Sequence, residues 1–139
     1  MRMLRKIWRD RRGVAAVEFA LVLPVLAGIV VLLPDASDAA IGALNMDAGV
    51  RAGVQYAMNG GTDLSAAKTI ATQNWSYMPS GATLNVTQSC TCSGAGSVCG
   101  QLCADGSNPE IYVTVAAAAT VGGTVISIPL QKTQTVRIK

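Results

Sequence analysis

Residues 13–34 read GVAAVEFALVLPVLAGIVVLLP, an unbroken apolar run whose only charged member is Glu18. As a helix rising about 1.5 Å per residue, this run covers roughly 33 Å, enough for a hydrocarbon layer of about 30 Å. A core helix of a soluble domain is the competing reading. Length and the abrupt change of charge at both ends favour a membrane span. A secretory signal peptide has a shorter apolar region, about 7–15 residues, followed by small residues at a cleavage site. The stretch after this run, Asp35-Ala36-Ser37-Asp38-Ala39, is a poor example of such a site.

The flanks give the span a direction. Arg2, Arg5, Lys6, Arg9, Arg11 and Arg12 supply six of the eleven basic residues in the chain, and the next basic residue is Arg51. The positive-inside rule then places residues 1–13 in the cytoplasm and residues 35–139 across the membrane. From Val14 onward, five basic residues stand against seven acidic ones, a formal −2. The net charge of +3 therefore belongs to a basic leader. A nucleic-acid surface would spread Lys and Arg over a folded face with aromatics for stacking, and only 4% of this chain is aromatic, so no nucleic-acid partner is expected.

A carboxylate in a membrane span costs about 2.5–3.5 kcal/mol at mid-span, and less near an end, where Glu18 lies. Reaching up to the headgroups is its bland explanation. The neighbouring residues suggest a sharper one. Gly13 closes the basic leader and Val14 opens the apolar run. Cleavage after Gly13 would give Val14 a free α-amine, one helical turn from Glu18. In a packed filament the amine of one subunit would neutralise Glu18 of the next, because charges attract far more strongly in a low-dielectric layer than in water.

The segment RRGVAAVEFALVLPVL at positions 11–26 resembles the N-terminus of TadE-like proteins, minor pseudopilins of tight-adherence (Tad, or Flp-type) pilus systems. Gly13 followed by Glu18 also resembles the processing signature of type IV prepilins. The resemblance implies cleavage between Gly13 and Val14 by a prepilin peptidase, Glu18 as the assembly carboxylate and Phe19 in the aromatic position beside it. It extends loosely to Val50-Arg51-Ala52-Gly53-Val54-Gln55-Tyr56-Ala57 and to Val136-Arg137-Ile138. It does not separate TadE from its TadF and TadG relatives. The implied partners are the peptidase, other pilin and pseudopilin subunits, an inner-membrane assembly platform and the lipid bilayer. The implied place is the bacterial inner membrane, with a periplasmic head and incorporation into a surface pilus that supports adhesion. Pro24, inside the span, is a candidate hinge, since an interior proline removes a backbone bond and usually kinks a helix.

Beyond the span, Asp35, Ser37 and Asp38 suggest a polar break and the cap of a second helix. Met46, Val50, Val54 and Met58 recur four apart, with Ile41, Leu44 and Ala48 starting a neighbouring stripe. Gly49 and Gly53 form a small-xxx-small pair that permits close packing, against a partner or against the head's own sheet. Thr62 or Asp63 is expected to cap a shorter helix from Leu64 to about Tyr77, with Leu64, Ala67, Ala71 and Trp75 on its core side. The period then falls to two: strands are expected at 82–87, 111–115, 124–128 and 133–139, with a hairpin turn at Gly122-Gly123. The expected fold class is α+β and type IV pilin-like: a long N-terminal transmembrane helix, further helices and a small antiparallel sheet of three or four strands. The organisation is a leader at 1–13, a transmembrane and assembly helix at 14–34, and an exported head at 35–139.

Cys90, Cys92, Cys99 and Cys103 form a cysteine loop at 90–103. The C-x-C and C-x3-C spacing fits zinc knuckles poorly, and the loop is placed outside the cytoplasm, so two disulfides are expected rather than a metal. A Cys90–Cys92 ring would be very tight. This leaves the nested pairing Cys90–Cys103 with Cys92–Cys99, or the crossed one. With no histidine, P-loop or dinucleotide motif, neither an enzyme nor a cofactor is expected. The alternatives to a minor pilin are an uncleaved single-pass assembly factor and a secreted disulfide-stapled binding module.

Overall fold

The computed structural model of the chain describes residues 12–123 and 125–138, with side chains described from Ala15. Helix α1 (Arg12–Met58) runs for 47 residues, about 70 Å at helical rise, through both Pro24 and Pro34. The break expected at Asp35, Ser37 and Asp38 is not there, and the span and the anticipated second helix are one element. An N-cap needs its side-chain oxygen for the N–H groups two or three residues ahead. The Asp35 carboxylate instead accepts from residues far along the chain, as described below, and the backbone stays helical.

Helix α2 (Leu64–Gln73) begins where Asp63 Oδ1 accepts from Ser65 N–H at 2.8 Å and from the Ser65 hydroxyl at 2.8 Å. It ends four residues earlier than expected. The Asn74 side chain donates to the Ile70 carbonyl at 2.9 Å, and Tyr77 adopts φ 56°, which no helix accommodates. Ala67, Ala71 and Trp75 are buried and Leu64 is half-buried, as the spacing anticipated.

Four antiparallel strands follow: β1 (Thr83–Cys92), β2 (Ala95–Ser97), β3 (Glu110–Gly122) and β4 (Ser127–Arg137), in the spatial order β2-β1-β3-β4. A hairpin joins β3 to β4, but Gly122 is still paired in β3, opposite Ser127, and β4 starts at Ser127 rather than at 124. The two strands expected after it are a single strand, β4, despite Pro129. Ile138 N–H donates to the Ile111 carbonyl, and the alternation of ladder bonds from that pair leaves Thr120 and Pro129 a non-hydrogen-bonded pair. Proline's missing donor therefore falls on the free edge of the sheet, where it is tolerated.

One face of the sheet packs on the second half of α1 and on α2. The core joins Met46 and Val50 of α1, Ala71 and Trp75, and Leu84, Val115, Ala117, Ala119 and Val121 of the sheet. Gly49 and Gly53 are the contact points of the two helices. A Cβ on Gly49 would stand 2.7 Å from the Ala71 carbonyl oxygen, and one on Gly53 would stand 3.1 Å from Ala71 Cβ. The small-residue pair thus serves the head's own packing. Met46 and Val50 are buried and Val54 is half-buried, but Met58 is exposed. Ile41, Leu44 and Ala48 are exposed.

Candidate functional site

The two halves of α1 have opposite environments. Every side chain from Ala15 to Pro34 is exposed, including Leu21, Val25 and Val30, whereas Ala39, Met46, Val50 and Ala57 are buried in the head. Burying a large aliphatic side chain is worth about 1.5–3 kcal/mol, so an exposed run of this kind is a strong driving force toward an apolar phase. By length and composition, α1 can cross a membrane.

Glu18 and Phe19 are exposed within this run, one helical turn past Val14, and among the described residues Glu18 has neither a hydrogen bond nor an ion pair. Gly13 and Val14 lie in the helical backbone. The Val14 side chain and all of residues 1–11 fall outside what the structure describes. Pro24 is exposed in the middle of the apolar half, where the helix runs through it.

At the junction of the two halves is a site not anticipated from sequence. The Asp35 side chain is 5% exposed, and its Oδ2 accepts from the N–H groups of Val125, at 2.9 Å, and Ile126, at 2.8 Å, both in the β3–β4 turn. Gly123 lies against the same carboxylate, and a Cβ there would collide with Oδ1. A buried carboxylate is tolerated when hydrogen bonds satisfy it. Two backbone donors do so here, and they fasten the hairpin to the long helix across 90 residues of sequence. The available signals were an acid directly after an apolar run and two adjacent glycines at a turn.

A second link between α1 and the sheet is Asp47, which pairs with Arg51 on its own helix and with Lys132 of β4 at 2.7 Å. The Lys132 hydrogen bond is the largest cause holding the Asp47 carboxyl below its ordinary 3.8, with the Arg51 charge adding to it. A hollow beside the junction, between α1, the segment after α2 and the end of β3, is lined by Asp38, Ile41, Asn45, Tyr77 and Thr120 and brings no acid–base or nucleophilic pair together.

At the opposite end of the sheet, the cysteines are paired Cys90–Cys99 and Cys92–Cys103. This is the crossed connectivity, and the nested one is not formed. The β1–β2 turn explains the geometry. Ser93 and Gly94 both have positive φ, at 50° and 85°, as a two-residue type I′ hairpin requires. The hairpin sets Cys90 opposite Ser97 and leaves Cys99 beside it. All four sulfurs are in disulfides, and no group of three or more potential metal ligands occurs among the described residues. Past the second bridge, the Ser107 hydroxyl and N–H donate to Asp105 Oδ1 at 2.6 and 3.0 Å, and the hydroxyl bond is the main cause of that carboxyl's lowered pKa.

No family model, curated protein or solved structure matches the chain.

Proposed function

We propose that this protein is a minor pilin-like subunit of a Tad-type pilus, held in the bacterial inner membrane by the first half of α1 and presenting the disulfide-closed head in the periplasm. The carrying observation is the division of one continuous helix into an exposed apolar half bearing Glu18, which has no partner among the described residues, and a half that forms the spine of an α+β head. A continuous helix of this kind links the membrane layer directly to the head. An unpaired acid in an apolar layer calls for a cationic partner, which the α-amine of a neighbouring subunit starting at Val14 would supply. The disulfides agree with an oxidising compartment.

The secreted-module alternative fits less well. Cleavage near Asp35 would sever α1 in mid-course, at the residue that fastens the hairpin. N-terminal sequencing of the protein recovered from membranes tests the proposal, with a start at Val14 expected. An intact Met1 would point to an uncleaved assembly factor, and a start near Asp35 to a released module. Glu18→Ala is expected to leave membrane insertion intact while abolishing filaments. Normal piliation in that variant would remove the assembly role from Glu18.

A further inference from the structure

Strand β3 runs back down α1 toward the apolar half. Val115 lies beside Gly53, Val121 beside Gly42, and Val125 and Ile126 in the turn itself reach Asp35. Each step along β3 thus moves closer to the end of the apolar run, and the β3–β4 hairpin tip meets the helix one residue past Pro34. The tip is itself apolar and open: Val125 is 57% exposed, Ile126 44% and Ile128 39%, and residues 122–130 include no charged side chain. In a soluble head, three aliphatic side chains grouped at a turn would be an unfavourable exposed patch.

We propose that the hairpin tip is a second membrane contact, with Val125, Ile126 and Ile128 dipping into the outer interface of the bilayer that α1 spans. This rests on the reading of α1 as a membrane anchor. The occupant is lipid because the patch continues the apolar surface of the span: Leu32 and Leu33 are exposed immediately before Asp35, and the Asp35 bonds hold Val125 and Ile126 at that level of the helix. The contact is apolar, so it does not depend on anionic headgroups. It fixes the tilt and rotation of the head on the membrane, which a single helix leaves free.

The test uses the full chain in nanodiscs of zwitterionic lipid holding one copy each. All four native cysteines are paired, so an introduced cysteine is the only free thiol. Spin labels are placed in separate variants at Val125→Cys, at Ile126→Cys, at Val22→Cys in the span, and at Met58→Cys. Met58 is an exposed apolar residue about 35 Å along the helix from Asp35. Collision with oxygen is compared with collision with a water-soluble nickel complex. Oxygen is expected to dominate at Val22, Val125 and Ile126, and nickel at Met58. Lipid character at Val22 with water character at both hairpin positions overturns this inference and leaves the anchor standing. Water character at Val22 overturns both. If the hairpin labels become shielded only in discs holding two copies, the patch is a subunit contact and the lipid assignment is wrong.

Discussion

Replacing Asp35 with alanine tests how the head is joined to its helix. The substitution removes two charge-assisted hydrogen bonds, each worth about 1.5–3 kcal/mol when the donor is otherwise unsatisfied. Two effects reduce the sum. The Val125 and Ile126 amides sit in a partly open turn and recover water, and the desolvation cost of a 5%-exposed carboxylate disappears. A net loss of about 2–3 kcal/mol follows. Asp35→Asn keeps a carbonyl acceptor and should lose about 1 kcal/mol. Gly123→Ala presses a methyl group into the same carboxylate, so its cost should largely vanish in the Asp35→Ala background, as expected for residues in contact. The assay is urea unfolding in detergent, read by the fluorescence of buried Trp75 in a Trp8→Phe background that leaves it the only tryptophan. Hydrogen exchange at the Val125 and Ile126 amides accompanies it and should accelerate in Asp35→Ala. Unchanged stability and exchange in Asp35→Ala, or strict additivity with Gly123→Ala, would refute the reasoning.

Three further sets of outcomes are expected. Gly49→Ala should lower the thermal midpoint, although alanine is the better helix former by about 1 kcal/mol, because its methyl meets the Ala71 carbonyl; Gly28→Ala, with open space around it, should not. Non-reducing peptide mapping should recover Cys90 linked to Cys99 and Cys92 to Cys103, and reduction should destabilise the β1–β2 end by about 2–4 kcal/mol per bridge at most, since the closed loops are short; nested links would contradict the fold. Asp47, Asp63 and Asp105 all have carboxyl pKa values lowered from 3.8, so the stability they contribute is present above that value and is lost as pH falls through their folded values. Denaturation midpoints should be level above about pH 5 and fall below about pH 4, with Asp47→Asn flattening part of the decline.

The parts of the fold that sequence revealed are those that local chemistry decides. The apolar run needs only composition, α2 needs Asp63 and a four-residue spacing, and β1, β3 and β4 show period-two alternation. The rest depends on distant residues. The continuity of α1 past Pro34 follows from where the Asp35 carboxylate finds its donors, 90 and 91 residues away. Ala116–Ala119, weak strand formers, lie in the central strand because small side chains at 117 and 119 admit the helix to the sheet. Strand β2, Ala95-Gly96-Ser97, has no strand signature, and the turn and bridges around it create it. At the candidate site, Glu18 was legible because one charge in an apolar run stands out. Asp35 looked like a helix cap because its partners belong to a turn that only the tertiary fold brings near.

The central claim is that the exposed half of α1 lies in lipid, and alkaline carbonate extraction of membranes from cells making the full-length chain tests it most directly. The protein should stay with the sedimented bilayer at high pH and be released by detergent. Recovery of the undegraded, full-length chain in the aqueous supernatant without detergent would contradict it.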